Sequence, residues 1–174
     1  CLEDARQLIA STIGAKSSQL VFTSGGTEAN NLAFRTTQNM TYFVSEIEHD
    51  SILSSAPMAV RIPVNQDGVV NIDTLQDLLS RQTKPALVSV MLANNETGVI
   101  QPLDKIVTIA RKYNAIVHCD AVQALGKLPI DMNALGVDLM TLSAHKIGGP
   151  KGIGILAVGP NARLKAGLVG GGQE

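Results

Sequence analysis

Asp138-Leu139-Met140-Thr141-Leu142-Ser143-Ala144-His145-Lys146-Ile147-Gly148-Gly149-Pro150-Lys151-Gly152 is an apolar run that ends in a lysine set among small, backbone-permissive residues. Leu139–Leu142 within it read as a buried strand, because a short apolar run bounded by turn residues suits a sheet covered on both faces. The lysine at its end has two readings. One is a solvated loop lysine, the common setting for the residue. The other is a nucleophilic amine: desolvation at a strand mouth lowers a lysine pKa by up to about 3–5 units and leaves the unprotonated form that attacks a carbonyl. Glycines beside it let a bulky planar group lie close to the backbone.

Working outward, short apolar runs alternate with helix-period segments along the whole chain. Strand candidates fall at Leu20–Thr23, 42–45, 60–64, 86–92, 115–119, 139–142 and 153–158. Apolar residues recur at helical spacing over 27–37, 51–58, 72–81 and 102–113, the last with Pro102 in its first turn, where its missing N–H has no helical partner to lose. Asn65-Gln66-Asp67-Gly68 is a plain turn. This pattern of βαβ units predicts an α/β domain in three layers, α/β/α, around a mostly parallel, mixed sheet of seven strands. Leu2, Ala5, Leu8, Ile9 and Ile13 repeat at helical spacing from the first residues, and the chain stops in Gly170-Gly171-Gly172-Gln173-Glu174. It reads as a piece of a larger protein, cut at both ends.

With 174 residues, 45% hydrophobic and 17% charged, the chain suits one globular domain that buries about 70% of its unfolded surface. A formal net charge of −1 and an aromatic content of 3% argue against nucleic acid as a partner, since neither a basic patch nor stacking rings are available. No apolar run approaches the ~20 residues needed to span a membrane, and the start lacks the basic and apolar segments of a signal peptide. Cytoplasm or an organelle matrix is the expected location. Two cysteines, Cys1 and Cys119, make neither a disulfide framework nor a metal pattern.

In such sheets ligands bind outside the carboxyl ends of the strands, and the polar residues with possible chemistry cluster there. Ser24-Gly25-Gly26-Thr27 leads from strand to helix and offers free N–H groups to an anion such as phosphate; the alternative is an ordinary turn with Thr27 as helix cap. Asp120, ending an apolar strand, is either the first residue of a capping box with Gln123 or the partner of a protonated ring nitrogen, an ion pair worth on the order of 4 kcal/mol at 4 Å. His49 could lie flat on a planar ring or move protons; a surface histidine at a helix start is the alternative. His118, mid-strand, reads as core. Asn94-Asn95-Glu96-Thr97-Gly98 reads as a turn after the longest apolar strand; within it Asn95 could bond a phenolic oxygen, with Glu96 fixing the loop. No metal site is expected, because His118, Cys119 and Asp120 alternate between the faces of one strand.

These residues together resemble a known family, the pyridoxal-phosphate cysteine desulfurases of the iron–sulfur-assembly and nitrogen-fixation type, within the fold type I transferases. The motifs that carry the resemblance are Thr23-Ser-Gly-Gly-Thr-Glu-Ala-Asn30, Glu48-His-Asp50, Ala93-Asn-Asn-Glu-Thr-Gly98, His118-Cys-Asp-Ala-Val-Gln123, Gly126-Lys-Leu-Pro-Ile-Asp131 and Ser143-Ala-His-Lys-Ile-Gly-Gly-Pro-Lys-Gly152. They cover nearly the whole chain in family order. The resemblance implies that residues 1–174 are the pyridoxal-phosphate-binding large domain of an enzyme that turns L-cysteine into L-alanine and leaves a persulfide on one of its own cysteines. It implies Lys146 as the lysine bound to the cofactor aldehyde, His49 as the ring-stacking residue, and Asp120 as the ring-nitrogen partner. Asn95 and Gln123 resemble the groups on the phenolic oxygen; Gly26, Thr27, Ser143 and His145 resemble the phosphate cradle, and Lys151 matches a position that does not bind the aldehyde. A homodimer and a sulfur-accepting scaffold protein are the implied partners. The family's persulfide cysteine, its carboxylate-binding arginine, its opening segment and its small domain have no counterpart here. A selenocysteine lyase or aminotransferase of the same fold, an inactive fragment, and a dinucleotide-binding module are the competing readings, the last lacking GxGxxG.

Overall fold

The computed structural model describes residues 1–163 together with Lys165 and Gly170; Gly171–Glu174, the end of the glycine-rich run, lie outside the described residues. Seven strands form one sheet: β1 (Leu20–Thr23), β2 (Thr41–Ser45), β3 (Val60–Ile62), β4 (Ala86–Ser89), β5 (Ile116–Asp120), β6 (Leu139–Ser143) and β7 (Gly154–Val158). Their order is β1-β7-β6-β5-β4-β2-β3. β7 is antiparallel to both its neighbours, and the other pairings are parallel. Two reversals across β7 leave β1 pointing the same way as β6. The carboxyl ends of β1, β2, β4, β5 and β6 therefore share one edge.

Side chains alternate across this sheet, so consecutive residues feed opposite layers. Phe43, Val88, Val117, Cys119, Met140 and Leu142 pack with α4 (Ile72–Ser80), α5 (Leu103–Lys112) and α6 (Met132–Leu135). Val44, Leu87, Leu139 and Leu156 pack with Ala29, Ala33 and Phe34 of α2 (Gly26–Thr36) and Ile52 of α3 (Asp50–Leu53). Each fully buried aliphatic chain of this kind contributes about 1.5–3 kcal/mol. Arg111, at the end of α5, forks onto the buried carboxylate of Asp138 at 2.8 Å through both nitrogens, while Val117 N–H donates to the same carboxylate at 2.7 Å. That clamp sets the helix against the starts of β5 and β6.

Three sequence expectations change in the structure. The 51–58 helix shrinks to Asp50–Leu53, because Pro57 disfavours helical backbone at the residue before it and Ser55 Oγ turns back to Ser51 O. The strand expected over 86–92 is regular only to Ser89, although Val90 and Leu92 N–H still donate to His118 and Asp120 carbonyls of β5. In α1 (Leu2–Thr12), Leu2 and Leu8 are exposed at 57% and 68%. The inward face is instead Arg6, Ile9, Ala10 and Ile13 just beyond the helix: the Arg6 guanidinium lies over the Phe22 ring, 4.7 Å from its centroid, and its Nη1 donates to Leu20 O at 2.6 Å.

Gly154, the first residue of β7, sits opposite both Thr23 and Ser143 in register. A Cβ there would lie 2.4 Å from the Gly25 carbonyl carbon and 2.6 Å from its Cα. Backbone meets backbone at this point, so neither side has a flexible group to move aside. Gly154→Ala should destabilise the chain by about 1–3 kcal/mol, the usual cost of overpacking, and shift the amide resonances of Gly25 and Gly26. Denaturant unfolding and an amide NMR spectrum check it; unchanged stability and unchanged Gly25 signals would contradict the close packing.

Candidate active site

A cavity of about 470 Å³ opens at the carboxyl edge and is lined from five strand ends. Gly26 and Thr27 follow β1, His49 and Ser51 follow β2, Asn95 follows β4, Asp120 and Gln123 come from β5 and its turn, and Ser143, His145 and Lys146 come from β6 and the short 3₁₀ turn after it. Every site residue expected from the sequence lines this one cavity. Lys151, expected to play no covalent role, lines it too.

The turn after β1 is held by side chains that the sequence left unassigned. Glu28 Oε2 accepts from Ser24 N–H at 2.7 Å and Ser24 Oγ at 2.6 Å, and those bonds hold its carboxyl below the usual range. Thr27 is not the helix cap; Gly25 occupies that position, with no side-chain cap. The first-turn N–H groups at Gly26 and Thr27 have no carbonyl one turn earlier to bond, which leaves them to an anion. Beside this helix end Ser143 Oγ lies 2.8 Å from His145 Nδ1, adding a hydroxyl to the same end.

Asp120 ends β5 with its side chain 6% exposed. The capping box fails: Asp120 Oδ1 accepts from Val122 N–H at 3.0 Å, and Gln123 Oε1 instead accepts from Lys127 Nζ at 2.7 Å. Asp120 Oδ2 accepts from Asn30 Nδ2 at 2.8 Å. Burial raises the Asp120 carboxyl, against the pull of those two bonds and of nearby His49. Among the described residues, no lysine or arginine pairs with it. His49 does begin a helix, as its plainer reading had it, yet it also faces the cavity: Nδ1 accepts from Ser51 N–H at 3.1 Å and lies 2.9 Å from Ser51 Oγ.

Asn95 is exposed at the rim, and Asn94, not Glu96, fixes its loop. Asn94 Oδ1 accepts from Glu96 N, Thr97 N and Thr97 Oγ1, while Nδ2 donates to Ile47 O at 3.0 Å. Lys146 is exposed on its 3₁₀ turn rather than sealed at a strand mouth. His118 is core: its nitrogens sit 2.9 Å from Ser89 Oγ and 3.0 Å from Thr141 Oγ1, and burial brings its pKa down to about 3. Cys119 faces the opposite layer, where burial pushes its thiol well up. Among the described residues no group of three metal-binding side chains comes together, and no helix is long and apolar enough to cross a membrane.

Sequence reasoning missed Asn30, Ser51 and Glu48. Asn30 has a readable signal, a polar residue on the helix face that also carries Ala33 and Phe34. Glu48 has none: its Oε1 accepts from Met91 N–H at 2.7 Å, while Oε2 is buried without a partner.

The aminotransferase class-V family model matches residues 1–174. The chain belongs to that family. It is similar to the cysteine desulfurase IscS of Dictyoglomus turgidum, 39% identical over 99% of this chain and 47% of that protein. It is similar also to the mitochondrial cysteine desulfurase of Candida maltosa, 42% identical over 99% of this chain and 38% of that one. The solved structure of a NifS-like protein from Rickettsia africae superposes with a TM-score of 0.94 at 39% identity, covering 99% of this chain and 50% of the other. The chain thus spans about half the length of these relatives or less, and its fold is the fold type I architecture expected from the sequence.

Glu48 supplies a test of the site's electrostatics. Burial first, and Asp120 second, raise its carboxyl well above the usual range. A raised folded-state value means that the folded chain holds a proton the unfolded chain has lost, so stability present below the unfolded pKa of ~4.5 is lost as pH rises. Relative to wild type, Glu48→Gln should gain up to about 1.4 kcal/mol per pH unit above pH ~4.5. Denaturant unfolding of both proteins between pH 4.5 and 7.5 reads the difference; a pH-independent gap would contradict a buried, protonated Glu48.

Proposed function

We propose that residues 1–174 are the cofactor-binding large domain of a pyridoxal-phosphate-dependent cysteine desulfurase, which converts L-cysteine to L-alanine and passes the sulfur to an enzyme cysteine as a persulfide. The observation that carries this reading is the buried carboxylate of Asp120, with which no lysine or arginine pairs among the described residues, in one cavity with Lys146, His49 and an open helix N-terminus. The similarity to cysteine desulfurases at 39–42% identity supports it.

The residues present fit pyridoxal phosphate. Its phosphate would be held by Gly26 and Thr27 N–H groups with Ser143 and His145, its ring nitrogen by Asp120, its phenolic oxygen by Asn95 and Gln123, and its ring face by His49. Gln123 suits that role because Lys127 occupies only its oxygen, leaving its Nε2 to donate. When bound, pyridoxal phosphate supplies an aldehyde for covalent attachment and an electron-poor ring. Asp120 answers the charge of a protonated ring nitrogen and gains by it, since a buried carboxylate is costly unless paired. Lys146 provides the amine for the aldehyde and, in this reading, moves a proton at the substrate α-carbon. Ordering these groups in advance accounts for much of any rate gain.

Cys119 is no persulfide carrier, because it is buried on the other side of β5 and its thiol resists ionisation. The persulfide cysteine and the group holding the substrate carboxylate therefore belong, in this reading, to the parent protein outside residues 1–174. A homodimer and a sulfur-accepting scaffold protein complete it, in cytoplasm or an organelle matrix, a location supported by mitochondrial relatives.

Borohydride reduction of the pyridoxal-phosphate-loaded chain, followed by peptide mapping, should place the pyridoxyl adduct on Lys146, with Lys151→Ala still labelled and Lys146→Ala unlabelled. In the intact parent, Lys146→Ala should abolish alanine formation from cysteine. Label on Lys151, or a parent protein that transfers the amino group of cysteine instead of releasing alanine, overturns the reading.

A further inference from the structure

The two residues of the cavity with the clearest expected roles, Asp120 and His49, are joined by two that none of those roles uses. Asn30, in α2 and 1% exposed, donates from Nδ2 to Asp120 Oδ2 at 2.8 Å and to Ser51 Oγ at 2.8 Å. Ser51, in α3, then lies 2.9 Å from His49 Nδ1 through Oγ and donates to the same nitrogen from its backbone N–H at 3.1 Å.

Donor inventory sets the direction of every bond in this chain. An ionised carboxylate only accepts, so Asn30 must turn its amide nitrogen toward Asp120. The orientation leaves Asn30 Oδ1 buried without a partner, and turning the amide over would aim that oxygen at the carboxylate. Both amide hydrogens are then used, one for Asp120 and one for Ser51 Oγ. The hydroxyl accepts from Asn30, so its own hydrogen is left for His49 Nδ1. The backbone N–H of Ser51 points at that nitrogen as well, and a nitrogen that accepts cannot carry the ring's proton.

We propose that Asn30 and Ser51 are positioning residues that tie the Asp120 carboxylate to His49 and fix the neutral imidazole with its proton on Nε2. In that state His49 presents a hydrogen, not a lone pair, at the Nε2 edge of its ring, and its basic nitrogen Nδ1 is held by Ser51 of α3. One hydrogen-bonded line thus orients both the carboxylate and the imidazole that line the cavity, across the packing of α2 on α3. The inference deepens the cofactor reading above, but the tautomer belongs to the chain without cofactor, so either can fail alone.

The test is two-bond ¹H–¹⁵N correlation NMR on the cofactor-free 174-residue chain labelled with ¹⁵N-histidine. His49→Gln identifies the His49 signals among those of the three histidines. Wild type should show the Nε2–H form in at least roughly tenfold excess, equivalent to ~1.4 kcal/mol. Ser51→Ala should move the Nδ1 resonance downfield through loss of the hydroxyl. Asn30→Ala should move it too, although Asn30 touches no atom of His49; a merely structural role would leave it in place. A dominant Nδ1–H form, or a near-equal mixture, overturns the tautomer, and an Asn30→Ala spectrum with Nδ1 unmoved overturns the relay. If Asn30→Ala does not fold, the wild-type tautomer and the Ser51→Ala shift decide.

Discussion

A carboxylate at the buried end of a strand must be compensated, and the edge of this sheet is organised around that need at Asp120. Its oxygens are met by the Val122 backbone and the Asn30 amide, neither of which carries a full charge. Those two bonds fix the turn after β5 and the start of α2 relative to each other. They do not offset the whole cost of burial, which still raises the carboxyl. A group that brings a positive charge against the carboxylate would complete the compensation: Lys146 and Lys151 line the same cavity, but among the described residues no lysine or arginine pairs with Asp120.

The sheet topology makes this arrangement possible. Six carboxyl ends share an edge because β7 alone runs backwards, between β1 and β6, and five of them line the cavity. Gly154 lets the turn after β1 come close enough to β7 and β6 for the open N-terminal end of α2 to face Ser143. Strand alternation then separates two adjacent residues by function. Asp120 and His118 face α2, where Asn30 and Phe34 meet them, whereas Cys119 is sealed in the opposite layer.

Much of this was legible in the sequence, for identifiable reasons. Apolar runs of buried parallel strands are hard to mistake, and all seven strand candidates fall on strands. Polar residues that follow them mark the cavity edge, which is why Lys146, Asp120 and His49 could be picked out. Helix ends were less legible: Thr27, His49 and Asp120 all resemble caps, and only His49 is one. Asn30, Ser51 and Glu48 stayed hidden because each works through another residue, across elements distant in the chain. The setting of Lys146, open between a solvated loop and a desolvated strand mouth, was decided only by the structure, since an apolar strand says nothing of how its last turn meets solvent.

The central claim is that the Asp120 carboxylate exists to hold a protonated ring nitrogen. ¹⁵N NMR of ring-labelled pyridoxal phosphate bound to the chain tests it most directly. A pyridinium-type nitrogen in wild type, persisting above neutral pH, and a pyridine-type nitrogen in Asp120→Asn with cofactor still bound is the predicted result. A pyridine-type nitrogen in both proteins would contradict the account.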